Sequence, residues 1–199
     1  ITGLGGVAKW TVNDASINLP KISLLSTNIT FSTAGTYYIY LSLMPNNLPA
    51  RSTLIFTLTC TLSSGISDFS DISIITNGPP IAGVFSVTPS TGRSMNTTFT
   101  FSASSWTDED TPITYEFKYI DDSNDNTMTV QSRSEKPYGI TTLPEGLSSL
   151  NNMIHCVIRV YDMLLSSSSA DYYVEVKKLI ISTSQLSNLI SSQLLSGEG

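Results

Sequence analysis

The chain holds one histidine, His155, and two cysteines, Cys60 and Cys156, so nucleophilic or metal chemistry has few side chains to draw on. A zinc site needs several nitrogen or sulfur ligands in one place. His155 has no second histidine at ligand spacing, and strand alternation through MIHCVIRVYD points it away from Cys156. Zinc is not expected. Serines are plentiful, but a hydrolase needs a base and an orienting group beside its nucleophile, and no Gly-x-Ser-x-Gly elbow occurs. The glycine run Gly3-Leu4-Gly5-Gly6 lacks the strand-to-helix context of a nucleotide loop. Sixteen acids are present, yet nothing in their spacing sets two carboxylates across a cleft as glycoside hydrolysis requires. No enzymatic activity is expected.

The acidic residues support one sharper reading. Asp108, Glu109 and Asp110 form a cluster that Asp121, Asp122, Asp125 and Asp162 could approach from other loops. Loop carboxylates of this kind hold Ca²⁺ between strands or at a domain junction, with Asp108, Asp110 and Asp162 as the candidate ligands. The plainer reading is a solvated turn in which Asp side chains bond the backbone two residues on, and no EF-hand spacing accompanies the acids. Apart from Ca²⁺, no cofactor is expected. Cys60 and Cys156 both fall on the inward set of their strands and in different domains. Buried free thiols are the reading adopted, with a bridge across the domain boundary or to a segment outside this stretch as the alternatives. Two sequons, Asn28-Ile-Thr30 and Asn96-Thr-Thr98, offer N-glycan acceptors in a secretory compartment. Abundant serine and threonine extend the expectation to O-linked glycans.

Composition narrows the class further. At 199 residues the chain fits two β modules of about 100 residues each. Hydrophobic content is 40% and charged content only 13%, so the surface is rich in hydroxyls and amides, which suits strands and turns better than charged helical faces. A net charge of −6 with scattered basic residues lacks the footprint that phosphate contacts need, and nucleic acid is excluded as a partner. No apolar run approaches the roughly 18 to 20 residues that span a bilayer. The start at Ile1 and the end at Ser-Gly-Glu-Gly read as the limits of a segment cut or processed from a longer chain.

These residues must be positioned by strands. In the first domain, residues 1–76, a short strand signal at 10–12 and two segments at 19–25 and 28–31 that read as strand or irregular edge, with Pro20 disfavouring a central position, precede TYYIYLSLM at 36–44, which reads as a strand of aromatic and β-branched residues. STLIFTLTCTL at 52–62 is the clearest period-two run, with Leu54, Phe56, Leu58, Cys60 and Leu62 on one face. A strand at 71–76 leads to Gly78-Pro79-Pro80, a stiff proline hinge. The second domain, residues 77–178, carries strand signals at 84–88, 97–105, 113–120, 128–132, 153–162 and 171–177, with 137–150 irregular. In the tail, residues 179–199, Leu186, Leu189, Ile190, Leu194 and Leu195 recur at helical intervals, with Ser182 or Ser184 as N-cap and Gly197 as stop. The fold class expected is all-β: two tandem immunoglobulin-like or fibronectin-like sandwiches, the first N-terminally incomplete, with a short amphipathic helical tail. Such a tail needs a partner surface, so end-to-end assembly between copies is one expectation.

The runs NGPPIAG, FSVTPSTG and FTFSASSWTDEDTPITYEFKY carry a family likeness, strongest over residues 77–119 and extending over 10–178. They resemble the REJ (receptor for egg jelly) module of polycystin-like and ciliate surface proteins, and WTDEDTPITYEF is also similar to the polycystic-kidney-disease (PKD) sandwich. The resemblance implies an extracellular or cell-surface location, including the ciliary surface, in a large and often membrane-anchored glycoprotein, and it implies no catalytic residues. Many relatives carry cysteines where this chain has Phe85 and Ala103, so a staple between the first two strands of the second sandwich is replaced here by packing. The function expected is a structural or adhesion module, such as a coat or filament unit, whose partners are other modules or copies of itself. The alternative is a ligand-binding ectodomain fragment of a polycystin-like receptor; glycan binding would favour exposed aromatics such as Tyr37 or Tyr172, but both sit in strand runs where cross-strand packing accounts for them first.

Overall fold

The computed structural model describes residues 5–33, 35–121 and 126–180. The chain divides into two units, Ile1–Gly78 and Pro79–Gly199. The tail helix expected within 179–199 falls almost wholly outside the described residues.

The first unit is built on one four-stranded sheet in the order β2-β1-β3-β4: β1 is Gly6–Val12, β2 Asn28–Phe31, β3 Thr53–Leu62 and β4 Ser67–Ile75. All of its pairs are antiparallel. The alternation read in β3 sends Leu54 and Phe56 inward, where both are buried. They pack with Leu19 from a four-residue helix, α1 (Leu19–Ile22), and with Leu41, Leu43 and Leu48 from an irregular stretch. Pro20 in the first turn of α1 explains why residues 19–25 do not pair as a strand, since proline suits that helical position and cannot donate to a ladder.

Residues 36–44 do not form the expected strand. Their tie to the rest of the layer is the Ser23–Leu43 bridge, where Leu24 N–H donates to Ser42 O at 2.7 Å and Met44 N–H to Ile22 O at 2.9 Å. Leu41 and Leu43 face inward while Tyr38 and Tyr40 stay exposed. Strand propensity expresses a fit to a pleated, half-buried surface; with a single bridge alongside, the run keeps the alternation and loses the ladder.

The second unit is a sandwich. A three-stranded sheet in the order β10-β7-β5 (β5 Val84–Thr88, β7 Thr98–Ser104, β10 Tyr138–Thr142) faces a five-stranded one. The latter has the order β6-β12-β11-β8-β9, with β6 Thr91–Arg93, β8 Thr114–Asp121, β9 Asn126–Ser134, β11 Met153–Tyr161 and β12 Ser167–Lys177. The chain changes sheets after β5, so that β6 runs parallel to the last strand, β12, while the other pairs are antiparallel. This is an immunoglobulin-like arrangement. Two pieces escaped the sequence pattern: β6, between the strand signals at 84–88 and 97–105, and β10, inside a stretch read as irregular. Both are short, and their pairing partners lie more than 30 residues away in the chain.

The core of the sandwich is aromatic at its centre. Phe85, Phe101 and Phe117 have ring centroids 6.1 to 6.2 Å apart, at angles and spacings that favour aromatic pairs. Phe85 stands directly opposite Ala103 across the β5–β7 ladder, so a large ring meets a small neighbour, as the volume-compensated reading of these two positions expects. The expected hinge prolines are part of this unit: Pro80 is buried, its carbonyl accepts Ser168 Oγ–H at 2.6 Å, and Ile81 bridges Thr107.

The Phe85–Ala103 register has a direct test. In the double variant Phe85→Cys/Ala103→Cys, oxidation is expected to close a disulfide, and the oxidised form should resist denaturant by about 2–4 kcal/mol more than the reduced form. Equal midpoints with and without reductant would contradict the pairing.

Candidate functional site

Among the described residues, the acids that converge are Asp108, Asp110 and Asp162, with one carboxylate oxygen from each lying within 4.8 Å of the others. Asp108 and Asp110 sit in the β7–β8 loop, which Trp106 anchors by burying its ring and donating Nε1–H to Val84 O at 3.4 Å. Asp162 follows β11 and is fully buried. Its carboxylate accepts Ser166 N–H at 2.8 Å, its own N–H donates to Ser166 O at 3.1 Å, and its carbonyl accepts from Leu165 N–H and Arg133 Nη2–H, each at 3.4 Å. Asp108 accepts Asp110 N–H at 2.8 Å, and Asp110 O accepts Met163 N–H at 3.0 Å.

The cluster therefore ties the β7–β8 loop to the β11–β12 turn. A calcium ion takes about six to eight oxygens, and three carboxylates giving one oxygen each would supply part of that set. Two of the three carboxylates also brace backbone N–H groups. Asp121 is not part of the group: it ends β8 beside the Ile120–His155 pair, at the opposite end of the strand from Thr114, which pairs with Tyr161. Asp122 and Asp125 lie outside the described residues.

The turn that Asp162 holds displays Met163, Leu164 and Leu165 to solvent, each more than half exposed. Leu165 adopts a φ of 73°, a left-handed conformation in which a Cβ crowds the following carbonyl. The stretch from Leu164 on reads in sequence as the connection of the last hairpin, so its exposure is expected, while the left-handed backbone at Leu165 is set by the turn that Asp162 braces.

His155 faces outward, as alternation implies. Its Nε2 lies 2.7 Å from Asp171 Oδ1 and its ring stacks on Tyr173 at 4.7 Å and 10°. The two rings border an open depression of about 500 Å³ with Ser149, Leu150, Asn151 and Met153. Tyr173, rather than Tyr172, is the exposed member of the Tyr pair: Tyr172 turns inward, its ring 6.2 Å from Phe85. The signal was available in the register, since the residue opposite an outward His155 must itself point outward. Tyr37, in the first unit, lies against Phe31 at 5.0 Å and donates its hydroxyl to Thr33 O.

Both cysteines are free. Cys156 is wholly buried, and desolvation pushes its thiol from 9.0 up to about 12. Cys60 is half-buried, which corrects the expectation of a buried thiol. It stands between Ala8 and Asp68 on neighbouring strands, away from the end of the sheet that Leu19, Leu54 and Phe56 close. The acceptor asparagines are both exposed, Asn28 in the edge strand β2 and Asn96 in the turn between β6 and β7.

Three outcomes follow from this geometry. In the native protein an alkylating reagent should modify Cys60 and leave Cys156 untouched until the chain unfolds; prompt double labelling would contradict the burial. Because the folded thiol of Cys156 holds its proton more tightly than the unfolded one, its contribution to stability is present below about pH 9 and is lost as pH rises toward 12. Denaturation midpoints should fall across that window, and less steeply in Cys156→Ala. Asp162→Ala strands the Ser166 N–H and should cost about 1–3 kcal/mol, whereas Leu165→Gly relieves the left-handed backbone and should gain about 1 kcal/mol or less. Calorimetry that reversed either sign would overturn the bracing role.

A family model for the REJ domain matches residues 6–197. Among solved structures, the crystal structure of murine CEACAM1b is similar to this chain over 89% of its length and 87% of that chain, with a TM-score of 0.35 and 12% sequence identity. No curated protein matches it. With the family match running through both units, from the first strand of one to beyond the last strand of the other, the chain belongs to the REJ domain family.

Proposed function

We propose that this chain is a non-enzymatic extracellular module that serves a structural or adhesive role in a large surface glycoprotein, as a unit of a coat or filament. The observation that carries the reading is the employment of its reactive side chains. Asp108 and Asp162 brace loops, His155 is bound to Asp171 and Tyr173, and the Cys156 thiol is sealed in the core. Groups that could do chemistry are holding strands and turns in register. Exposure of both sequon asparagines supports a glycosylated exterior, and no helix among the described residues is long and apolar enough to cross a membrane.

A second reading, a ligand-binding ectodomain fragment, is favoured by the depression beside Tyr173. An exposed ring flanked by Asn151, Ser149 and His155 offers a stacking face with polar groups around it. The two readings share an extracellular setting and differ in whether a partner sits in that depression.

Glycopeptide mass spectrometry of the protein from its native source should find N-glycans on Asn28 and Asn96, each removed by Asn→Gln substitution. Bare asparagines at both positions would remove the main support for a secretory setting.

A further inference from the structure

We propose that the outer edge of β4 is a self-association surface, at which two copies of the chain join their first-unit sheets through antiparallel β4–β4 pairing. This goes beyond the function proposed above and does not depend on it, because backbone pairing is indifferent to compartment or glycosylation.

The ladder parity of the sheet defines what this edge offers. Thr76 N–H donates to Ser52 O and Leu62 N–H to Ile66 O, both in the register that joins β3 to β4. Even-numbered residues of β4 therefore bond to β3. Odd-numbered residues point their N–H and C=O groups the other way, which Phe69 confirms: its N–H is taken by the neighbouring Asp68 carboxylate at 2.9 Å. Beyond that one cap, the N–H groups of Asp71, Ser73 and Ile75 have no partner among the described residues. A row of alternating donors and acceptors is matched only by another extended backbone.

The strand is poorly defended. Nine residues long, SDFSDISII contains no lysine, arginine or proline, and its register with β3 shows no bulge. Its apolar side chains lie open, with Phe69 67%, Ile72 55% and Ile75 82% exposed. The other edge of the sheet, β2, is four residues long and carries the Asn28 sequon.

A second copy fits this edge in one favoured register. Pairing must match odd residues with odd. Centring on Asp71 would set that carboxylate directly against its own copy, which is destabilising. Centring on Ile72 instead places Asp71 opposite Ser73, Phe69 opposite Ile75 and Ile72 opposite itself, so the open apolar residues cover one another and no two acids face directly. The arrangement is two-fold symmetric and closed, each strand contributing the same surface.

Sedimentation velocity across a concentration series is expected to show a monomer–dimer equilibrium. Amide exchange should slow with concentration at Asp71, Ser73 and Ile75, and stay constant at Ile72 and Ile74, which already bond to β3. Ser73→Pro removes an outward N–H without touching the β3 ladder, and it should abolish the dimer. Where that variant fails to fold, Phe69→Lys/Ile75→Lys serves the same purpose through charge on the outward face. A chain that stays monomeric throughout, a dimer whose outward amides exchange as fast as in dilute solution, or a dimer that survives either folded variant would each overturn the proposal.

Discussion

The close approach of Phe85, Phe101 and Phe117 is the interaction on which the second unit depends. These rings come from three strands of two facing sheets, and they meet the inward side chains of β11, Ile154, Cys156, Ile158 and Val160, all buried. Where the family resemblance implies a covalent staple between two strands, this chain has a ring against a small partner at Ala103. A staple limits the unfolded chain, whereas a packed ring stabilises only the native arrangement.

The two units differ in how completely they close. Among the described residues, fourteen buried ones form the core cluster of the second unit, against three in the first. With one sheet and a cover of irregular chain, the first unit leaves Leu58 and Cys60 half-buried and much of β4 exposed on both faces. A sandwich removes its apolar faces from water by stacking sheets, and a single sheet closed at one end keeps both an open face and a live edge.

Among the described residues, several chemistry-bearing side chains make contacts that hold loops and strands together. The Asp108–Asp110–Asp162 group sits where two loops meet and supplies the acceptors their backbones lack; His155 and Asp171 cross-link adjacent strands.

Strand runs with strict alternation were legible from the amino-acid order alone. β3, β5, β7, β8, β11 and β12 stand close to where the pattern put them, as do the inward Cys156 and the outward His155; the Phe85–Ala103 opposition came from the family resemblance rather than from alternation. Proximity of Asp162 to the Asp108–Asp110 loop was also readable as a candidate, since acids in turns are free to converge. Tertiary structure alone decided the rest. Residues 36–44 have strand composition but little ladder to join; β6 and β10 are short segments defined by partners far along the chain; Cys60 alternates correctly and is still half-open because the layer above it stops short. Local order in a chain sets which way a side chain would face in a strand. Whether a neighbour is present to bond that strand, and whether anything covers the face, depends on distant residues and is settled only when the layers meet.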